Sequence, residues 1–242
     1  MPAPDLANFP NSSITLPHGR AYLETTPLNM SGASSVTPFT YNWEVFVRVG
    51  VTDHIEARLY TSGLTVQRGF GVDLVGFSPL TFDTKMHLTQ HAWKHFNFSL
   101  GLEAYVQTPW GSPRLSEGFP YSVIALVDHD LPWEFTYSWN LGFLRALTLD
   151  GDQVFVPTFQ AALQRNLIDD LAIFVQSFRN AATLPRSGFT QPFTTGHERG
   201  TVFGAGLQWT VNERWALFGS FNVGYGHLVP RLSGSAGVAL SM

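Results

Sequence analysis

Two neighbouring stretches of the sequence carry acidic and basic side chains at alternate positions. Glu44 and Arg48 stand in the first stretch, and Glu56 and Arg58 stand in the second. In an extended chain, residues two or four apart share one face, so carboxylates and guanidiniums can pair across a hairpin. Such a ladder of ion pairs has two possible roles. It could form a constriction that screens solutes by their charge, or its charges could neutralise one another within the wall. We favour internal neutralisation, and the similar numbers of both signs argue against strong ion selectivity.

Other polar and aromatic side chains follow the same alternation and extend this face. These residues are Tyr60, Asp83, Lys85, His87, Glu103, Tyr105 and Glu134. We predict that they line an enclosed polar interior together with the ladder.

The histidines do not form a recognisable catalytic or metal site. His87, His91 and His95 are spaced four residues apart, which would align them on a helix, but the surrounding pattern predicts a strand, a turn and a strand. His197 and Glu198 lie in a predicted loop, and no serine stands where a nucleophile would complete the set. We therefore predict no catalytic residues, no metal and no cofactor.

The composition excludes several classes of protein. Only 13% of the 242 residues are charged, against about 25% in an ordinary soluble domain. No stretch approaches the ~18 consecutive apolar residues of a membrane-spanning helix. The absence of cysteine rules out disulfides and thiolate metal sites. A net charge of −4 without clustered lysine and arginine gives no indication of nucleic-acid binding.

Apolar and polar residues alternate one by one in segment after segment. From Phe96 to Val106 the even positions are apolar, and the odd positions include Asn97, Ser99 and Glu103. This period of two predicts β-strands with one apolar and one polar face. The predicted strands cover residues 19–27, 41–50, 55–63, 74–89, 95–108, 120–129, 133–148, 153–165, 171–181, 200–211, 214–226 and 231–242.

The connections between the predicted strands differ at their two ends. Every second connection is tight, as at 52–54 and 212–213, whereas residues 28–40 and 182–199 form long connections. In outer-membrane barrels, short turns face the periplasm and long loops face outward. We therefore expect both termini in the periplasm. The start of the chain lacks a basic and apolar leader, so we expect the signal peptide to be absent from it.

Residues 1–18 form an N-terminal segment ahead of a single barrel domain at 19–242. The segment is rich in proline and asparagine and contains Leu6, Phe9 and Ile14. It could plug the interior, dock on a partner or stay loose in the periplasm. The last two outcomes are the more usual ones for a terminus.

Four tryptophans stand within a few residues of predicted tight turns. They are Trp93, Trp133, Trp209 and Trp215. Amphipathic rings concentrate at the boundary between membrane and water, so we predict an aromatic girdle at the periplasmic side. The alternative is a buried core of tryptophans in a soluble sandwich. We favour the girdle because several of these rings would then share one level of a barrel.

A soluble β-sandwich would also alternate, but its solvent face would carry many charges and its strands would average about five or six residues. Here the polar faces are mostly Ser, Gly, Asn and Gln, and many predicted strands reach ten residues, which crosses a bilayer when tilted. Closure also removes exposed sheet edges. We therefore predict an all-β protein, a closed antiparallel up-and-down transmembrane β-barrel of about twelve strands in contact with outer-membrane lipid.

Three segments resemble a known family of bacterial outer-membrane proteins. They are residues 15–24 (TLPHGRAYLE), 47–59 (VRVGVTDHIEARL) and 206–215 (GLQWTVNERW). They are similar to the first strand and two hairpins of the transporter family associated with the MetA pathway of phenol degradation. The resemblance implies a barrel that passes small hydrophobic or aromatic compounds, and it supplies no catalytic residues. The chain departs from a common barrel pattern by ending in Met242 rather than in phenylalanine or tryptophan.

Three functions agree with these observations. The first is a passive channel for small apolar or aromatic solutes. The second is a closed structural barrel that acts as a scaffold subunit of a complex with other envelope proteins. The third is a surface-binding protein that acts through loops 28–40 and 182–199. An open path through the interior would distinguish the first function from the second.

Overall fold

The described residues form thirteen β-strands and one short 3₁₀ helix, Pro113–Leu115. A computed structural model describes residues 3–33, 38–69, 71–93, 96–116, 119–147, 153–179, 201–226 and 229–242. The strands are β1 (Ala21–Ser31), β2 (Phe39–Thr52), β3 (Ile55–Gly69), β4 (Val72–Phe77), β5 (Thr81–Trp93), β6 (Phe96–Gln107), β7 (Tyr121–Leu131), β8 (Phe135–Leu147), β9 (Gln153–Ile168), β10 (Leu171–Arg179), β11 (Thr201–Thr210), β12 (Trp215–Tyr225) and β13 (Leu232–Ser241).

The strands close into one antiparallel barrel. The first and last strands complete the circle, with Tyr22 of β1 opposite Ser241 of β13. β5 pairs with the first half of β3, and β4 pairs with the second half. β4 and β5 therefore count as a single interrupted strand of the wall. The predicted closed barrel of twelve strands is confirmed.

The strand predicted at 74–89 is interrupted at residues 78–80. Pro79 has no N–H to give to a ladder, and β3 bulges opposite the break. Gly63 of β3 has a φ of 58°, and its carbonyl accepts a hydrogen bond from the N–H of Ser78 at 2.8 Å. The bulge shifts the alternation, so that Phe77 and Phe82 both face outward.

The outer face is apolar over a band of membrane thickness. On β3, outward residues run from Ile55 to Val66, and the exposed pair of Arg68 and Asp73 begins the polar surface above them. A strand advances by about 3.3 Å per residue. With a tilt of about 45°, the stretch from residue 55 to residue 66 covers about 25 Å along the membrane normal. Within the described ranges, none of the helical structure has the length and apolarity of a membrane-spanning helix.

The two ends of the barrel differ in their connections. The turn end carries the short connections, which are residues 53–54, 94–95, 132–134, 169–170 and 211–214. At the loop end the strands are joined through residues 32–38, 70–71, 108–120, 148–152, 180–200 and 226–231. Both ends of the barrel domain lie at the turn end, where the N–H of Ala21 donates to the carbonyl of Met242 at 3.2 Å.

Candidate functional site: the barrel lumen

Three basic side chains on adjacent strands form the centre of the interior. Arg48 of β2, Arg58 of β3 and Lys85 of β5 are at most 4% exposed. The strand register places them side by side, because Arg48 lies opposite Arg58 and Arg58 lies opposite Asp83. Buried charges are tolerated only with close partners. These three cations therefore need carboxylates close to them inside the barrel.

Carboxylates of the barrel wall pair with two of these cations at short range. The Nε of Arg48 lies 2.7 Å from Oε1 of Glu56, and its Nη1 lies 3.0 Å from Oε1 of Glu24. The Nη1 of Arg58 lies 2.8 Å from Oδ2 of Asp83. The alternating charges therefore form a connected network on the inner wall.

Asp5 of the N-terminal segment enters this network from inside the barrel. Its Oδ2 lies 2.7 Å from Nη2 of Arg58, 3.1 Å from Nζ of Lys85 and 3.5 Å from Nη2 of Arg48. Lys85 is fully buried, and its other carboxylate neighbour, Glu56, is 3.9 Å away. Asp5 is thus the nearer partner of a buried ammonium. Removing one partner from such a pair is strongly destabilising.

The wall also supplies acceptors for the backbone of this segment. Glu24 accepts hydrogen bonds from the N–H groups of Asp5 at 3.0 Å and Leu6 at 2.7 Å. Gln176 of β10 accepts from the N–H of Phe9 at 2.7 Å. A buried segment without regular secondary structure must find partners for its N–H groups outside itself. These two side chains provide them.

A second set of contacts holds the segment near the turn end. Asp128 of β7 accepts from both the N–H and the hydroxyl of Ser13 at 2.6 Å, and Glu56 accepts from the N–H of Leu16 at 2.7 Å. Sequence reasoning favoured a loose or docked terminus, whereas residues 3–18 lie against the inner wall in this structure. The reason is that acceptors on several strands match donors along the segment.

Two inward-facing glycines make room for the segment. A Cβ atom on Gly50 would lie 2.0 Å from the carbonyl oxygen of Pro17, and one on Gly101 would lie 3.1 Å from the Cα of Ser13. The first distance is far inside van der Waals contact. A side chain at Gly50 would therefore displace the segment from the wall.

Apolar side chains form two clusters inside the barrel. The segment contributes Leu6, Ala7 and Leu16 to the first cluster, whose wall members are Tyr22, Phe46, Tyr60, Phe174, Ala216, Phe218 and Ala239. The second cluster, hereafter the luminal apolar strip, consists of Tyr105, Ile124, Leu126, Leu144, Phe178, Val202 and Val229. Transmembrane barrels usually present polar side chains inward, so the strip is a departure from that pattern.

Phe9 joins the segment to the luminal apolar strip. Its ring centroid lies 4.3 Å from that of Phe178 with an interplanar angle of 86°, which is an edge-to-face contact. Small cavities flank Phe9 on two sides, one of about 30 Å³ towards Glu103 and Ile124 and one of about 70 Å³ towards Gln176. Each has space for a few water molecules.

The structure places most of the predicted interior residues inside the barrel. Those that are buried there are Glu44, Arg48, Glu56, Arg58, Tyr60, Asp83, Lys85, Glu103 and Tyr105. His87 is half-buried, and its Nδ1 lies 3.2 Å from the carbonyl oxygen of Ser13. Glu134 requires a correction, because it lies exposed in the turn before β8 with a φ of 62°. The strand begins at Phe135 rather than at residue 133.

Several residues that hold the segment were not predicted from the sequence. Glu24, Asp128 and Gln176 are buried on inner faces. Alternation could have identified Glu24, since it follows the inward Tyr22 by two positions on β1. No periodic signal could have identified Asp5, because an irregular segment has no period.

Tryptophans predicted for the girdle lie on the outside near the turn end. Trp133 is 80% exposed within the turn, and Trp209 and Trp215 occupy outward positions beside the connection 211–214. The predictions for four other residues fall outside the described part of the structure, namely the side chain of Trp93 and residues His95, His197 and Glu198.

A further aromatic group on the outer face was not predicted. The Nε1 of Trp139 donates to Nε2 of His129 at 3.1 Å. The ring of His129 stacks on Tyr137 at 6.2 Å and lies 5.5 Å from that of Phe98. These rings combine apolar faces with polar edges, as expected of side chains at a membrane boundary.

A closed barrel with an apolar outer band and a polar, charged interior defines a bacterial outer-membrane β-barrel protein. The family model described as "Putative MetA-pathway of phenol degradation" matches residues 19–242. The chain therefore belongs to this family. The match begins after residues 3–18, so the segment inside the lumen lies outside it.

Solved structures share this fold. An outer-membrane channel from Pseudomonas putida F1 has a TM-score of 0.65 at 13% identity, over 97% of this chain and 99% of that chain. The NanC porin has a TM-score of 0.54 at 10% identity, over 92% and 98% of the two chains. The translocator domain of the autotransporter NalP from Neisseria meningitidis has a TM-score of 0.51 at 12% identity, over 92% and 88%. At these identities the likeness shows the fold alone. No curated protein matches the sequence.

Proposed function

We propose that this protein is a passive channel for small apolar or aromatic molecules across the outer membrane. The observation that carries the proposal is the luminal apolar strip, which gives such solutes a favourable surface inside the wall. The family's association with phenol degradation supports the same solute class. The proposal assigns no catalytic step to the chain.

The charge network argues against a pore for anions. Arg48 and Arg58 each have wall carboxylates within 3 Å, and Lys85 has Asp5 at 3.1 Å. An opposite charge at this range cancels most of the field that an arginine or lysine would exert on a free anion. The network therefore attracts anions little and instead stabilises the wall and the segment.

Residues 3–16 occupy the middle of the lumen, so solute passage requires this segment to shift. Its anchors are hydrogen bonds and ion pairs, as at Asp5 and Ser13, and no disulfide fixes it to the wall. Contacts of this kind can break and form again. This arrangement supports a channel that the N-terminal segment closes at rest.

We infer that the turn end faces the periplasm and the loop end faces outward. Short periplasmic turns and long outer loops are the usual arrangement in bacterial barrels. The N-terminal segment then enters the lumen from the periplasmic side. Val229 belongs to a connection at the loop end and to the luminal apolar strip. The strip therefore begins at the end of the barrel that a solute from outside the cell reaches first.

A closed structural barrel is the second candidate function. The same filled lumen favours it, because the network around Asp5 and Arg58 would then be a permanent core that rigidifies the wall. In that case the functional surface would be the outer face or the loops, in contact with other envelope proteins.

Uptake by vesicles with an outer leaflet of lipopolysaccharide distinguishes these functions. We expect protein-dependent uptake of toluene above that of vesicles without protein, with no change for a sugar such as arabinose. Uptake of neither solute, together with co-purifying envelope proteins, would support the scaffold. Faster uptake of arabinose than of toluene would contradict the proposed solute class.

A further inference from the structure

The ring of Phe9 separates two spaces in the lumen. The cavity on one side is bounded by Glu103, Tyr105 and Ile124, and the cavity on the other side is bounded by Gln176 and other residues of the wall. Phe9 lines both. We expect a smaller residue at this position to open space of about the volume of the lost ring beside both cavities.

We propose that Phe9 occupies the solute-binding site of the channel and that the solute is a molecule with a single aromatic ring. This inference rests on the proposed function and assigns its site and ligand class. When the segment withdraws, the place of the Phe9 ring becomes available against Phe178. A free ring then takes the contacts that the tethered ring makes in the closed state.

The surroundings of Phe9 favour an aromatic ring over an alkyl chain. Phe178 meets the ring edge to face at 4.3 Å, and such pairs contribute beyond their apolar area. Tyr105 and Ile124 of the luminal apolar strip line the smaller of the two cavities beside Phe9. An engineered apolar cavity of ring size in a protein interior binds benzene. Phe178, Tyr105 and Ile124 give a ring apolar contacts at this site, which Glu103 and Gln176 also border.

Gln176 holds the backbone of the segment at Phe9 and not its ring. The Oε1 of Gln176 accepts from the backbone N–H of Phe9, and that N–H remains when only the side chain is changed. This anchor is therefore kept in a variant that removes only the Phe9 side chain, so the segment can stay in place around the vacated ring position.

Binding of fluorobenzene tests the inference at equilibrium. We expect Phe9→Ala in lipid nanodiscs to bind fluorobenzene at least about tenfold more tightly than the unchanged protein, measured by fluorine NMR titration. The matched control is Phe221→Ala, which removes an outward ring that is 57% exposed and should leave binding unchanged.

Equal binding by Phe9→Ala and Phe221→Ala would overturn the inference. Phe9→Trp provides the opposite change, since a larger ring fills the flanking space and should bind less fluorobenzene than the unchanged protein. Phe9 precedes the first strand, so closure of the barrel does not depend on it. Binding requires no passage, so the site can be present in a barrel that transports nothing, and a transporting barrel can lack it.

Discussion

The ammonium of Lys85 lies 3.1 Å from the carboxylate of Asp5, although 80 residues separate them in the chain. Lys85 belongs to β5 in the wall, and Asp5 belongs to a segment without regular structure. The pair is buried, so it fastens the segment to the wall at a point where water cannot replace either partner. We expect the state of this contact to determine whether the lumen is filled.

Asp5→Asn is expected to loosen the segment. The change removes the negative charge that the buried cations Lys85 and Arg58 share as a partner. Removing one partner of a buried pair costs about 3–5 kcal/mol. Each 1.4 kcal/mol is about a tenfold change in an equilibrium. We therefore expect the ratio of open to closed time in single-channel recordings to rise about a hundredfold or more.

Asp73→Asn is the matched control for this change. It removes the carboxylate of an exposed pair with Arg68, whose Nε lies 3.7 Å from Oδ1, and exposed pairs contribute about 0.2–1 kcal/mol. Its recordings should match those of the unchanged protein. Identical behaviour of Asp5→Asn and Asp73→Asn would mean that the buried contact does not hold the lumen closed.

The backbone of the segment should be protected from hydrogen exchange. The N–H groups of Asp5 and Leu6 donate to Glu24, and bonds to charged acceptors contribute about 1.5–3 kcal/mol. We expect slow exchange of the peptide that contains them by mass spectrometry. Glu24→Gln should accelerate this exchange. Exchange at the rate of an unstructured peptide in the unchanged protein would contradict the fold of the segment.

A methyl group at Gly50 is expected to displace the segment at its turn end. The added Cβ would lie 2.0 Å from the carbonyl oxygen of Pro17. This oxygen belongs to the backbone, so no flexible side chain can move aside to relieve the contact. Gly50→Ala should therefore expose the N–H of Leu16 to faster exchange. Gly32→Ala is the control, because its nearest atom would be at an ordinary distance of 3.4 Å. Similar exchange of Leu16 in both variants would refute this packing.

The orientation of the barrel can be read with single cysteines, since the chain has none. Asp73 lies exposed towards the loop end, and Glu213 lies exposed at the turn end. A maleimide that cannot cross membranes should label Asp73→Cys on intact cells and label Glu213→Cys only after the cells are opened. The reverse pattern would place the turns outside.

The sequence predicts the wall well because a strand repeats every two residues. The outward Trp215, Leu217 and Phe221 alternate with inward partners along β12 as expected. The prediction for Glu134 was wrong because alternation continues by chance into a turn. Trp133 and Glu134 both have φ near 62°, which no strand adopts.

The sequence does not predict what fills the interior, since the segment has no repeating pattern. Asp5 is fixed by three cations from three strands, and their convergence depends on the register of the closed barrel. Arg48 and Arg58 could be assigned to a common face, but not to a shared partner outside that face. The three cations around Asp5 therefore come together only when the barrel closes.

A disulfide between the segment and the wall tests the central claim most directly. The hydroxyl oxygens of Ser13 and Ser99 lie 2.7 Å apart, so Ser13→Cys with Ser99→Cys should form a bond in a chain that has no other cysteine. The measurement is toluene uptake by vesicles that carry this double variant together with Asp5→Asn, before and after reduction. We expect slow uptake while the bond is intact and a several-fold rise once it is broken. Equal uptake in the two states, with formation and cleavage of the bond verified by mass spectrometry, would show that the segment does not control passage.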